Sequence, residues 1–319
     1  MSLTAHAVKA RARELGFDLC GVAAADHLPE LTRLVDWIAR GYAGEMHYLA
    51  RTADKRTDVR RVLPSAQSVI VLATLYNVDR PYSTEIADTQ RALISRYAWG
   101  DDYHAVIGRR LDALVAWMRE AHGEAFDARA YVDTGPVQER AFAQRAGLGW
   151  VGKNTCLIHP DLGSWLFLAE VLCSVALAPD DAGFDRCGTC TLCLDACPTE
   201  AFAGPGVLDA RRCLSYLTIE LKGPIPEEWH EAIGSHVYGC DICQEVCPWN
   251  QAAPRSGDPA WQPRPAFDGA TIGDLALRSD EELRAAMKGS AMKRTGVGGL
   301  RRTLDTIQRR ARRATAPGD

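Results

Sequence analysis

The sequence predicts an α/β layer domain (α+β in the broader sense) over residues 1–178, a cysteine-rich module over 179–265 and a short basic helical segment over 266–319. Three observations carry that division. Apolar, β-branched runs alternate with stretches of helical periodicity before the cysteines begin, the pattern of a layered core. Eight of the eleven cysteines then fall between Cys187 and Cys247. Beyond a proline-rich break at 254–265 the chain becomes helical and strongly basic. With 319 residues there is enough chain for more than one domain and a sizeable core.

Taken in order, residues 2–15 form a charged amphipathic helix with Val8, Ala12 and Leu15 on one face. Residues 17–23 and 68–76 are short, apolar and β-branched, hence buried strands. Residues 29–38 and 106–121 have apolar positions at helical spacing, the second with Ile107, Leu111, Leu114 and Met118 in one stripe. A short strand at 128–132 runs into Asp133-Thr134-Gly135-Pro136, and Pro136 suits the first turn of a helix over 137–146. Residues 165–176 read as a further strand. In the cysteine-rich module, helices are expected at 211–221, carrying Cys213, and at 227–233, with Gly223–Pro226 as the break between them.

The cysteine spacing is the most specific signal. Cys187, Cys190, Cys193 and Cys197 form C-x₂-C-x₂-C-x₃-C followed by Pro198; Cys240, Cys243 and Cys247 precede Pro248, and Cys213 stands alone between the runs. In two-cluster ferredoxins such a run gives three ligands to one iron–sulfur cluster and its fourth to the other. The pattern therefore assigns Cys187, Cys190, Cys193 and Cys247 to one [4Fe–4S] cluster, and Cys213, Cys240, Cys243 and Cys197 to a second. Two four-thiolate zinc sites are the competing reading, and a disulfide framework suits short secreted chains better than this one. Cys20, Cys156 and Cys173 lie in apolar surroundings and read as packing.

Net charge is −4, yet residues 284–313 hold ten Lys/Arg against the single acid Asp305, a local +9 that leaves −13 for the remainder. That asymmetry fits contact with a polyanion, and equally a solvated helix face. No apolar stretch is long enough to span a membrane, and the N-terminal region has neither a signal-peptide core nor a twin-arginine pair. A cytoplasmic protein, monomeric and without a membrane partner, is expected.

Further segments converge on one family. Arg96-Tyr-Ala-Trp-Gly-Asp-Asp-Tyr103-His104, Val132-Asp-Thr-Gly-Pro136, Gly147-Leu-Gly-Trp-Val-Gly-Lys-Asn-Thr155, Tyr216-Leu-Thr-Ile-Glu-Leu-Lys-Gly-Pro-Ile-Pro226 and both cysteine runs arrive in the order of the epoxyqueuosine reductases, which the chain resembles over nearly its whole length. The resemblance implies that the α/β part is a cobalamin-binding catalytic domain and that the clusters relay electrons from an external low-potential donor to cobalt. The substrate would be epoxyqueuosine in a tRNA anticodon, its epoxide oxygen lost as water. Such chemistry needs electrons that no side chain supplies. The same resemblance extends to reductive dehalogenases, the nearest rival enzymes; a plain electron carrier and a nucleic-acid-binding protein with structural clusters are readings of other classes. Many members continue into a helical-repeat extension, whereas this chain ends soon after Arg313.

Residue by residue, Asp133 matches the family's catalytic aspartate and would be proton donor. Its alternative is to cap the helix predicted after it. Arg56, Arg96, Tyr103, His104, Thr155 and Ser164, with Asp133, fall in segments expected to contact cobalamin, and His104 is not assigned as a cobalt ligand. Lys293, Arg294, Arg301 and Arg302 are the expected tRNA contacts; Trp249 and Trp261 are possible stacking faces. The glycines of 147–152 form a tight turn, without the order of a phosphate-binding loop.

Overall fold

The computed structural model describes residues 3–315; residue 2, where the first helix was expected to start, lies outside them. Helix α1 (Ala5–Glu14) is capped by Thr4, whose hydroxyl accepts from the Ala7 amide at 3.2 Å, and it buries Val8 and Ala12. Four strands follow: β1 (Leu19–Ala24), β2 (Ser68–Leu75), β3 (Ala128–Tyr131) and β4 (Leu166–Cys173). They make one sheet in the order β1-β2-β4-β3. Every pairing is antiparallel, with Gly21 opposite Val71, Val71 opposite Glu170, and Tyr131 opposite Glu170. Strand–helix alternation had suggested an α/β layer, whose sheets are mostly parallel; the actual sheet is antiparallel, so the domain is α+β in the strict sense.

β2 is buried along its whole length and β4 along nearly all of it, which explains their unbroken apolar reading. One face of the sheet packs on α1 and on α2 (Tyr103–His122), where Ile107, Leu111, Leu114 and Met118 are all buried. Asp102 caps α2 by accepting from the His104 amide, and Gly123, at φ 73°, ends it in the left-handed conformation. The other face packs on α3 (Glu139–Arg145) through Phe142 and Ala143. That helix starts later than expected: Pro136 precedes it and is not in its first turn.

The segment at 29–38 divides into a 3₁₀ turn, Pro29–Thr32, and a helix, Arg33–Ala39. Cys213 is not inside a helix, as expected, but is the N-cap of α4 (Leu214–Ile219), after a 3₁₀ turn at Ala210–Arg212. Residues 227–233 are likewise a 3₁₀ turn followed by a short helix, His230–Ile233.

The C-terminal segment is α5 (Ile272–Leu277), α6 (Asp280–Met287) and α7 (Gly296–Thr315). Capping boxes at Thr271/Asp274 and Ser279/Glu282 start the first two. Leu300, Leu304 and Ile307 of α7 join a core with Leu214, Leu217, Ile233 and Tyr238, and also with Ala92 and Ala98 of the first segment. The hydrophobic core thus runs across the boundaries read from the sequence.

Arg301 and Arg302 of α7 face inward. Arg302 donates to the carbonyls of Leu217 at 2.7 Å, Gly223 at 3.1 Å and Leu221; Arg301 binds Asp280 at 3.0 Å and the carbonyls of Ala276, at 2.8 Å, and Arg278. They are ties between the last helix and the body. Arg302→Ala leaves those carbonyls unpaired and is expected to cost roughly 2–3 kcal/mol in urea unfolding, whereas Ala at exposed Arg309 should stay within about 0.5 kcal/mol of the parent.

Candidate active site

Two groups of thiols come together as the spacing requires. Cys193 feels burial first and then the charges of Cys247, Cys187 and Cys190, which together push it up to about 11. Cys240 is raised by burial and by Cys213 and Cys197; Cys243 is raised by burial, Cys156, Cys240 and Cys213. These mutual repulsions mark Cys187, Cys190, Cys193 and Cys247 as one set of neighbours, and Cys197, Cys213, Cys240 and Cys243 as the other. The Trp150 indole N–H points at Cys187 Sγ at 3.4 Å, and the Ala201 amide at Cys197 Sγ at 3.3 Å. Cys156, expected only to pack, lies beside Cys243.

The second cysteine run is fastened to the sheet domain by buried polar groups. Asp241 accepts from Ser95 Oγ and the Arg96 amide, both at 2.6 Å. Glu245 accepts from the amide and hydroxyl of Ser83, each at 2.7 Å, and from the Thr84 amide at 3.1 Å. Asn250 Oδ1 accepts from the Ser164 amide at 2.7 Å, and its Nδ2 donates to Ser164 Oγ at 2.8 Å.

Ser164 is therefore spent on this seam, 5% exposed, and does not reach an open site. The same holds for Arg96. Its guanidinium donates to the carbonyls of Val78, Arg80 and Pro81 at 2.7–3.1 Å and lies 4.5 Å from the centroid of Trp99. Only 2% of it is exposed. Both residues, expected beside the corrin, are buried: Ser164 bonds across the seam, and Arg96 holds three carbonyls while its Nε stays buried without a partner.

Asp133 and its neighbours are arranged differently. β3 ends at Tyr131, and Asp133 follows with φ 59°, a left-handed backbone that Asp tolerates better than most residues. Its carboxylate accepts from Tyr103 Oη at 3.0 Å and lies 3.3 Å from His104 Nε2, while 59% of the side chain remains exposed. It caps no helix, so that alternative falls. Tyr103 is held flat against Phe167, 4.4 Å between centroids with planes at 6°. His104 Nδ1 is 2.7 Å from Asp102, whose other oxygen pairs with Lys293.

Confinement raises the Asp133 pKa, but the hydrogen bonds from His104 and Tyr103 and the charges of His104 and Arg140 outweigh it, so the carboxyl titrates below its ordinary range. Burial lowers that of His104, yet Asp133 and Asp102 overcompensate and raise it. Both shifts favour the ion pair, with the proton on His104. Both imidazole nitrogens are occupied.

Thr155, also left-handed at φ 66°, offers its carbonyl to Arg140 at 2.6 Å, and Arg140 acts on Asp133 as well. Thr155 thereby joins the Asp133 wall to Cys156, next to Cys243. Gly149 allows the preceding turn: at φ 145°, a Cβ there would stand 2.0 Å from the Ile158 carbonyl oxygen. Arg56 donates to the carbonyl of Val137 at 3.0 Å and to Thr52 Oγ1 at 3.0 Å, and its charge reaches Asp133, Glu139 and Glu170. Arg294 pairs bidentately with Glu220 at 2.9 and 3.0 Å, lies 5.3 Å from the Tyr48 ring and acts on Asp133. Lys293, through Asp102 and His104, and Arg294, through its charge, thus connect to Asp133, whereas Arg301 and Arg302 are spent on α7's ties to the body. Trp261 is buried, and Trp249 packs edge-on to Trp150.

Comparison with known proteins decides the family. Residues 56–134 match the model described as "Epoxyqueuosine reductase QueG, DUF1730", and residues 186–250 match the "4Fe-4S double cluster binding domain". The epoxyqueuosine reductase of Gloeobacter violaceus is 47% identical over 312 residues, 95% of each chain. The chain belongs to the epoxyqueuosine reductase family. A crystal structure of epoxyqueuosine reductase with a tRNA-Tyr epoxyqueuosine-modified stem loop superposes with TM-score 0.86 at 33% identity, covering 95% of this chain and 80% of that one. Another, from Bacillus subtilis, has its catalytic aspartate loop swung out of the active site and superposes at TM-score 0.85 and 32% identity, with the same coverage. The chain is accordingly a mixed α/β epoxyqueuosine reductase fold with a 4Fe–4S double-cluster domain and C-terminal helix. Among its described residues no helix is long and apolar enough to cross a membrane.

Sequence reasoning missed Asp102, Glu139, Arg140 and Glu170. Asp102 was quoted inside a motif but given no role. Glu170 had a signal, being the one charge inside an apolar strand. If the thiols divide four and four, Cys190→Ala should lose about half the iron of anaerobically reconstituted protein; total loss, or none, would contradict the partition.

Proposed function

We propose that this chain reduces epoxyqueuosine to queuosine in the anticodon of tRNA, using cobalamin and two [4Fe–4S] clusters, with Asp133 as proton donor. The observation that carries the reading is the Asp133 carboxylate itself. It is held at a strained turn by Tyr103 and His104, open on one side, and adjoins through Thr155 and Cys156 the thiols of Cys243 and its neighbours. Strain of this kind concentrates at sites where a group must be presented.

Cys187, Cys190, Cys193 and Cys247 would hold the outer cluster, and Cys197, Cys213, Cys240 and Cys243 the inner one. An external low-potential donor supplies the electrons. Residues 1–178 would form the catalytic part, 179–265 the ferredoxin-like part and 266–319 the basic segment, of which α5, α6 and α7 pack on the shared core.

The donor set around Asp133 fits cobalamin. A corrin edge bears amide side chains that want both donors and acceptors, and Arg56, Tyr103, Arg140 and the Thr155 backbone offer them at the rim of an exposed carboxylate. His104 has no free nitrogen for the metal. When bound, cobalamin would supply the low-valent metal centre for reductive carbon–oxygen cleavage. The protein's own part is proton handling. Opening an epoxide to an alkene and water consumes two electrons and two protons. Substrate covering Asp133 removes its water and favours transfer of the His104 proton onto it, making Asp133 an acid beside the departing oxygen.

Phosphates of the stem loop would meet the half-exposed Lys293 and Arg294. Arg301 and Arg302 contribute by fixing the segment that carries them.

The direct test is nucleoside mass spectrometry of epoxyqueuosine-containing tRNA after incubation with reconstituted, reduced protein: queuosine is expected. Asp133→Asn should keep its iron and cobalamin and lose turnover by about 10²-fold or more; full activity would remove the acid assignment. Lys293→Ala with Arg294→Ala should weaken stem-loop binding and flatten its salt dependence by roughly one to two counterions, an unchanged slope placing the phosphates elsewhere.

A further inference from the structure

Next to Asp133 lies a pair of carboxyls, Glu139 and Glu170, that the reaction so far leaves unused. Glu170 sits in the middle of β4, between Val71 and Tyr131 of the neighbouring strands, and is completely buried. Neither of its oxygens completes a hydrogen bond of good geometry. It faces Glu139, half-buried at the start of α3, whose Oε1 accepts from the Asp133 amide at 2.6 Å. A fully buried, unpartnered carboxyl is costly unless it is neutral or serves a purpose, and no packing requirement calls for one in a strand otherwise apolar from Leu166 to Cys173.

We infer that Glu139 and Glu170 share and store the second proton of the reaction and deliver it to the substrate through Asp133. The assignment presupposes the epoxyqueuosine reduction proposed above. Its accounting is simple. The epoxide receives two electrons from the external donor by way of the clusters, and the oxygen leaves as water after taking two protons. The first is the proton held by His104. Once Asp133 has given that proton up, the O–H bond on Glu139 breaks and a new one forms on Asp133. The negative charge left behind stays on the carboxyl pair until water reaches Glu139 at the rim and restores the proton.

The surroundings favour a shared proton. Burial is the largest influence on Glu139, reinforced by the charge of Asp133, and lifts it to about 7. Glu170 is raised further, by burial and then by Glu139 and Asp133. The charges acting on the pair are those of Asp133, Arg140 and Arg56, and Tyr48 in turn feels Asp133 and Arg56. Two carboxyls in one buried space cannot both ionise readily. The two stores also differ in kind: His104 gives its proton from a cation, and the pair from a neutral acid, so the second transfer creates charge where Arg56 can balance it. Glu139 and Glu170 act through Asp133 and are positioning residues in that sense.

The experiment uses the full chain with both clusters and cobalamin. Infrared difference spectra against pH, taken without tRNA, should show a protonated carboxyl persisting to about pH 7 in the parent and lost in Glu170→Gln. Single-turnover rates on epoxyqueuosine-containing tRNA should fall above that pH. Glu170→Gln should move this alkaline limb to lower pH and slow the reaction about ten-fold at pH 7.5, leaving tRNA affinity unchanged. Glu139→Gln, at the rim, should also shift the limb and provides a second test should Glu170→Gln fold poorly. Inactive parent protein that still shows the band would count against the enzymatic reading. An active parent with no such band, or variants whose pH profiles overlay the parent's, would overturn the proton store.

Discussion

The buried polar seam between the sheet domain and the second cysteine run is the constraint on which the rest depends. Asp241, Glu245 and Asn250 stand among or just beyond Cys240, Cys243 and Cys247, and each is hydrogen-bonded to a segment of the catalytic part: Ser95 and Arg96, Ser83 and Thr84, and Ser164. Electron transfer between centres needs a fixed separation, and loops by themselves do not fix one. Carboxylates in a dry interface do, because removing either partner strands a buried charge or dipole. Burial, with Glu245 close by, pushes Asp241 up to about 6, the mark of a group kept for geometry at an electrostatic cost.

This seam also explains why part of the site was legible in the sequence and part was not. The cysteines could be partitioned because cluster ligation depends on residue type and spacing, both written in the chain. Tyr103 and His104 bond to Asp133 directly, and Arg56 and, through Arg140, Thr155 lie near it. Arg96 and Ser164 occupy the same motifs but point inward. Motif membership marks a residue as needed, without distinguishing contact with a cofactor from holding the wall behind it. Arg301 and Arg302, expected at tRNA, have protein partners the sequence did not reveal, for a related reason. A basic run looks solvated until the carbonyls at the end of α4 and around Gly223 are seen to be its partners, and these are some 80 residues away in sequence.

Secondary structure failed where local signals were outweighed by tertiary ones. Pro136 suits a helix start, yet the chain delays α3 to Glu139. The intervening residues instead form the turn that presents Asp133 outward and lets Glu139 reach back to its amide. A helix begun at Pro136 would have drawn the Asp133 carboxylate onto its own first amides. The antiparallel order of the sheet was invisible because buried central strands read as continuous apolar runs in either orientation.

Glu170 shows how this arrangement bears on stability as well as chemistry. A carboxyl raised by burial binds its proton more tightly in the folded chain than in the unfolded one, so its stabilising contribution is complete below the ordinary carboxylate range and is lost as pH rises through the folded value. For Glu139 that window runs from about 4.5 to about 7, and Glu170 extends it upward. Asp133 has the opposite sign: its pKa is depressed by His104 and Tyr103, and its contribution disappears as pH falls below the ordinary range. Three neighbouring carboxyls therefore favour folding under different conditions, and from mildly acidic pH up to about 7 Asp133 is ionised while the Glu139–Glu170 pair still holds a proton. The site trades stability at alkaline pH for a proton kept next to the group that has to deliver it.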